Sequence, residues 1–169
     1  FMQFNKNKFN FQSPLSMGVC NLTKDSFSDG GKNYRSSDAL KSIKKMWQQG
    51  ASIIDIGAES ARPGSDPITY KKEIKKLEPI LNKIPKNKFM ISIDTYKVET
   101  QEFALQRGAH LINDIYGGNK DLFSLSKKYK NGLILMHTPG TPKTMQLMTN
   151  SYKDILKDIR KIFIDKTKE

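Results

Sequence analysis

The sequence predicts an α/β fold on a parallel β-sheet, and three observations predict it. Short apolar runs recur at residues 15–20, 52–56, 89–93, 111–115 and 133–136, each rich in Ile, Val, Leu or Met. Runs that are apolar throughout, without alternation, read as strands buried on both faces. Between them lie segments whose apolar residues recur at helical spacing. Polar residues gather at or just after the carboxyl ends of the runs: Asn21, Glu59, Asp94, Asn113 with Asp114, and His137.

Each element has its own justification. Residues 1–12 set Phe4, Phe9 and Phe11 among polar residues and read as a short hairpin, or cap, over the floor of the sheet. The first run holds Cys20, the only cysteine, which reads as a small core residue in a reducing compartment. Residues 38–49 place Leu40, Ile43, Met46 and Trp47 on one helical face and stop at Gly50. Residues 70–84 repeat the pattern with Ile74, Leu77, Leu81 and Ile84, and Pro79 is expected to kink that helix or start a new turn. Helices are further expected over 98–107, stopping at Gly108, over 121–130, stopping at Asn131 and Gly132, and over 152–166.

Five successive βα units imply right-handed crossovers and leave two architectures, an open doubly wound sheet or part of a (β/α)8 barrel. A doubly wound sheet would normally carry a Gly-rich phosphate turn after its first strand, and neither GxGxxG nor GxxxxGK[ST] occurs. Polar residues at successive carboxyl ends suit a TIM barrel, whose active site lies there. The fold expected is an incomplete (β/α)8 TIM barrel of about five βα units.

Composition narrows the function. The chain has 169 residues and a formal charge of +12, with 29 Lys and Arg. Only Arg35, Arg62, Arg107 and Arg160 are Arg, and the lysines are spread at helical spacing, as on solvated outer faces. Clustered basic residues with interleaved aromatics, the mark of a nucleic-acid binder, are absent. No apolar run approaches the roughly 18 residues of a membrane span, so neither a nucleic acid nor a membrane is an expected partner and the cytoplasm is the expected location. Long-range attraction of anionic substrates is the remaining consequence of the charge.

Five blocks carry a resemblance. SMGVCNLTKDSFSDGGK, GASIIDIGAESARPGS, ISIDTYK, GAHLINDIYGG and LILMHTPGTPKTMQ resemble, in order and spacing, the successive blocks of the dihydropteroate synthases, the pterin-binding family of folate biosynthesis. The resemblance implies a transferase that joins 4-aminobenzoate to 6-hydroxymethyl-7,8-dihydropterin diphosphate, giving 7,8-dihydropteroate and pyrophosphate. It implies Mg2+ held through Asn21, with Asn21 and Arg62 serving departure of the diphosphate. It places Asp94 and Asn113 against the pterin, and Phe27 and Pro63 against the aromatic amine. Residues 23–32 and 58–67 correspond to the family's two mobile lids, and a homodimer in the full-length form is compatible with it.

The residues can be read chemically beside that resemblance. A pterin presents a row of donors and acceptors, and each one buried without a partner costs roughly 1–3 kcal/mol. Asp94 and Asn113 offer matching groups; otherwise Asp94 caps the helix starting near Lys97 and Asn113 satisfies loop backbone. Ile115 and Met136 are candidate apolar walls or plain core. Asp55, between isoleucines, is a candidate for the pocket floor and requires a partner or a raised pKa. Arg62 has the fork geometry that suits pyrophosphate. Where the family reads Ser-Thr-Arg-Pro, this chain has Ser60, Ala61, Arg62 and Pro63, so the substrate side loses one hydroxyl.

The resemblance spans the chain but only five of the eight units of a barrel of roughly 250 residues. A further pterin-binding Asp, a Lys at the ring and a late Arg and His of the family are expected beyond Glu169. The chain is therefore expected to be a piece of a longer polypeptide with little or no synthase activity alone. The alternatives are a pterin-binding methyltransfer domain and a non-catalytic interaction module.

Overall fold

The computed structural model describes residues 2–4, 7–9, 13–22, 36–60, 65–138, 144 and 152–168, the first two segments as backbone only. A hairpin of β1 (Met2–Phe4) and β2 (Asn7–Phe9) pairs antiparallel, Met2 opposite Phe9. Five strands, β3 (Met17–Asn21), β4 (Ile53–Gly57), β5 (Met90–Asp94), β6 (Leu111–Asp114) and β7 (Gly132–Leu135), form one parallel sheet in chain order. Helices α1 (Ser36–Gln48), α2 (Tyr70–Leu81), α3 (Val98–Gln106), α4 (Lys120–Tyr129) and α5 (Ile155–Lys166) follow the strands one by one. This is the βα alternation expected.

Strand alternation divides the sheet into two faces. One side of β4, β5 and β6 shows Ile54, Ile56, Ile91, Ile93 and Ile112, all fully buried against Ile43 of α1, Leu77 and Ile80 of α2, Ala104 of α3 and Leu122 of α4. Each such aliphatic side chain contributes roughly 1.5–3 kcal/mol on burial, so this face holds the fold together. The opposite face carries a small apolar floor, Ile53, Met90 and Leu111 with Leu15 and Ile134, and above it the polar residues. Cys20 points to the helix side, 2% exposed, where burial pushes its thiol up to about 11, the behaviour of an inert core residue.

Several expectations need correction. The first strand is not buried on both faces: Met17 and Val19 stand 37% and 57% exposed on the open face, because β3 is an edge with no further strand beside it among the described residues. Helix α2 ends at Leu81, short of the expected 84, with Pro79 in its last turn. Gly50 and Gly108 take the left-handed conformation expected of helix stops, but after α4 it is Lys130, with φ 53°, that does so, in place of Asn131 or Gly132.

Candidate active site

Register brings the strand-end residues into line. Asn21 pairs with Gly57, Gly57 with Asp94, and Asp94 with Asn113, so four adjacent strands present one row on the open face at their carboxyl ends. Gly57 is the gap in that row. A Cβ there would lie 3.2 Å from Asp94 Oδ2 and 3.4 Å from Asn21 Oδ1, so both side chains lean over the space that the glycine leaves. The absence of a side chain at Gly57 makes a cradle with one carboxylate and one amide oxygen at its walls.

One step deeper on the same face lies Asp55, 4% exposed. Its required partner is Asn113, whose Nδ2 donates to Asp55 Oδ2 at 3.0 Å, while Asp55 Oδ1 is buried with no hydrogen-bond partner. Neighbouring Ser92 Oγ is buried and unpartnered too. Buried polar atoms left unmatched are costly, and here two of them sit in the face beneath the cradle.

The electrostatics follow from crowding. Burial raises the Asp94 pKa to about 7, with further contributions from the negative charges of Asp55, Glu73, Asp114 and Glu59. Near neutral pH this side chain exists in both forms, able to accept a hydrogen bond as carboxylate or to donate one as acid.

Asp94 does not cap the following helix. The N-cap of α3 is Lys97, which makes no side-chain cap bond, and Lys97 N donates to Thr95 Oγ1 at 3.2 Å. Asn113 serves Asp55 and not loop backbone. Ile115 lines a hollow beside Asp94 together with Glu59, Ser60, Glu73, Thr95 and Tyr96. Met136 stands 44% exposed just past β7, so it is not core. Arg62, Ala61, Pro63 and Phe27 lie outside the described residues.

Three of the polar residues at the strand ends, Glu59, Asp114 and His137, do not join the row. Asp114 is the next residue on β6 after Asn113 and therefore faces the helices, where Asp114 Oδ1 accepts from Tyr116 N at 2.8 Å and Oδ2 from Gln101 Nε2 at 3.3 Å. His137 Nε2 lies 2.6 Å from Tyr152 Oη. What sequence reasoning missed is an ionic knot at the rim: Lys97 Nζ lies 2.7 Å from Glu59 Oε2 and 3.5 Å from Glu73 Oε2. Glu73 sits at a helical position that reads as surface, and only its complete burial reveals the role.

A five-stranded parallel sheet with its polar residues in one row at the carboxyl ends is the arrangement found at the active-site rim of α/β barrel proteins. Residues 17–169 match the family described as pterin binding enzymes, and the chain belongs to that family. It is 40% identical over 150 residues to the dihydropteroate synthase of Synechocystis, covering 87% of this chain and 52% of the relative. It is 39% identical over 163 residues to that of Clostridium beijerinckii, covering 94% and 59%. The fold superposes on the Yersinia pestis dihydropteroate synthase in complex with a sulfonamide drug with TM-score 0.86 at 32% identity, over 98% of this chain and 60% of that one. The Burkholderia cenocepacia enzyme complexed with 7,8-dihydropteroate gives TM-score 0.83 at 32% identity, over 99% and 56%. The chain thus spans between half and three-fifths of the length of these synthases, and its five βα units correspond to an incomplete TIM barrel.

Proposed function

We propose that the chain serves the dihydropteroate synthase reaction, with the row Asn21, Gly57, Asp94 and Asn113 as its pterin-diphosphate site. The observation that carries this reading is the convergence of Asp94 and Asn21 over the Gly57 gap, with Asn113 beside them and tied to Asp55. The flat ring would lie against the row, with Asp94 and the unpartnered Asp55 Oδ1 as acceptors for ring N–H groups and Ile115 and Met136 as apolar walls. An aromatic ring so held satisfies the buried oxygens that the bare face leaves unmatched.

In the reaction the amine nitrogen of 4-aminobenzoate forms a bond to the methylene carbon of the pterin. The carbon–oxygen bond breaks, its electron pair leaves with the diphosphate, and the nitrogen loses a proton. A weakly basic aniline needs positioning more than a strong base, and holding the methylene carbon in line supplies much of the rate. Arg62, Ala61, Pro63 and Phe27 take the roles that the resemblance implies, the guanidinium at the diphosphate and Phe27 with Pro63 at the aromatic amine. Asn21 Oδ1, exposed at a strand end and facing the cradle, suits a magnesium ion that takes its remaining ligands from diphosphate and water. Bound there, such an ion would supply charge neutralisation to the diphosphate as leaving group. The hairpin as a cover of the barrel floor and a cytoplasmic location belong to the same reading.

Alone, the chain is expected to bind the pterin side and turn over weakly or not at all. Calorimetric titration of pterin diphosphate with magnesium chloride into the chain should give saturable heat, reduced at least about tenfold in affinity by Asp94→Asn. Absence of any binding by the wild type removes the proposal. Dihydropteroate formed at ordinary enzyme rates would refute the expected inactivity. Restored turnover on mixing with the remaining βα units of the Synechocystis relative would support it. Binding of methyltetrahydrofolate without aminobenzoate-dependent chemistry would favour a methyltransfer domain.

A further inference from the structure

Among the described residues, Lys97 joins three segments at the carboxyl rim. Its ammonium lies 2.7 Å from Glu59 Oε2, just past β4, and 3.5 Å from Glu73 Oε2 on α2, and stands 4.2 Å from the centroid of the Tyr96 ring. Only 12% of its side chain is exposed, against 14% for Glu59 and 1% for Glu73. In a chain whose lysines mostly stand in water, this one is enclosed. Burial alone would lower its pKa, yet the Glu59 hydrogen bond and the charges of Glu73 and Glu59 outweigh burial and hold it above the usual Lys range.

Two sets of hydrogen bonds meet at this knot. On the β4 side, Glu59 Oε2 also accepts from Ile68 N at 2.6 Å, and Ser65 Oγ donates to Ser60 O at 2.6 Å. Glu59 with Ser60, and Ser65 to Ile68, are therefore tied together at the carboxylate that Lys97 holds. On the β5 side, Lys97 belongs to the turn that follows Asp94, in which every polar atom of Thr95 is engaged. Thr95 N donates to Asn113 O at 3.0 Å, its Oγ1 to Glu73 Oε2 at 3.1 Å, and its carbonyl accepts from Gln101 Nε2 at 3.0 Å.

Buried ion pairs contribute little net stability compared with apolar packing, and their best-attested use is to select one arrangement. We propose that Lys97 is a positioning residue, which fixes Glu59 with Ser60, and Ser65 to Ile68, against the Asp94 turn so that these parts of the rim stand at a set distance from the pterin row. Its ligand consequence rests on the pterin-diphosphate reading above. Loss of Lys97 loosens the rim at Glu59 and Ser60, beyond Gly57, and is felt by a diphosphate reaching past the row more than by a ring held at Asp94 and Asn113.

Amide hydrogen exchange on the whole chain tests the first half. In Lys97→Met, exchange at Ile68 should accelerate about tenfold or more while strand β6 keeps its wild-type rate, and Lys97→Arg should stay within about threefold of wild type. The neutral double variant Glu59→Gln/Lys97→Met leaves no carboxylate of the Glu59 pair unmatched and should reproduce the Ile68 acceleration should the single variant fold poorly. Unchanged Ile68 exchange, or equal acceleration throughout the sheet in the double variant, overturns the proposal. Calorimetry with 6-hydroxymethylpterin and with its diphosphate tests the second half. Lys97→Met should weaken the diphosphate about tenfold and the free pterin less than about threefold; equal losses overturn the assignment. A wild-type chain that binds neither probe defeats the functional reading, while the exchange result still decides the role of Lys97.

Discussion

The two faces of the five-stranded sheet are built from the same strands, residue by residue, yet they solve opposite problems. Toward the helices, Ile54, Ile56, Ile91, Ile93 and Ile112 are fully buried among aliphatic neighbours. Toward the open side, the residues between them are Asp55, Ser92, Asp94 and Asn113. There a carboxylate oxygen and a hydroxyl are buried unpartnered, and Asp94 is crowded by four other acids. The lesson is a division of labour by period two: stability is concentrated on one face, and the other tolerates polar strain that a ligand can relieve.

Ile56→Ala on one face and Asp94→Asn on the other should differ in sign. The largest effect is expected on the helix side, where Ile56→Ala removes three buried carbons from a packed layer and should cost about 2–4 kcal/mol in denaturant unfolding. Asp94→Asn should act in the opposite direction. The folded protein holds the Asp94 proton up to about pH 7, whereas the unfolded chain releases it near the ordinary aspartate value of 3.8. The stabilising proton is fully bound in the native state below about pH 4, and its contribution is lost as pH rises through 7. The asparagine escapes that loss, so the variant should be more stable than wild type by roughly 1–3 kcal/mol at pH 8, with the difference shrinking toward pH 4. Equal unfolding midpoints for wild type and variant at both pH values would show that the crowding of Asp94 has no energetic consequence.

The helix-side face was legible in the sequence because apolar runs and helical spacing report burial directly. Asn21, Asp94 and Asn113 were legible as residues closing apolar runs, and the register places them side by side. Gly57 gave no signal, since a glycine in a strand reads as a weak point and its use appears only when Asn21 and Asp94 lean over it. Lys97, Glu73 and Thr95 stayed hidden for a different reason. A Lys, a Glu and a Thr separated by up to 24 positions look like surface chemistry until folding encloses them. The exposure of Val19 escaped as well, because an apolar run does not say whether another strand lies beside it.

A smaller effect is expected where the open face has met its own needs. Asn113→Ala deprives Asp55 Oδ2 of its 3.0 Å donor beside an Oδ1 that already lacks one. A carboxylate losing a partner in that setting should cost about 1–2 kcal/mol. Thermal scans at pH 8 and pH 5 read it: the cost should be greater at pH 8, where Asp94 adds its charge to the same face, and a cost independent of pH would argue that Asp55 and Asp94 do not share one field.

The smallest change in stability should accompany one of the sharpest changes in binding. Gly57→Ala adds a single carbon, and alanine in a strand loses less chain entropy than glycine on folding, a gain of roughly 0.5–1 kcal/mol. Against this stands contact at 3.2 Å with Asp94 Oδ2 and 3.4 Å with Asn21 Oδ1, tight enough to displace both side chains by a few tenths of an ångström. The two terms nearly cancel, so the unfolding free energy should move by no more than about 0.5 kcal/mol. The methyl group nevertheless occupies the cradle itself, and affinity for the pterin diphosphate should fall by at least about tenfold in calorimetry. An alanine variant that binds as wild type would place the ligand elsewhere on the rim, whereas one that unfolds readily would mean that the glycine serves the sheet and not the site.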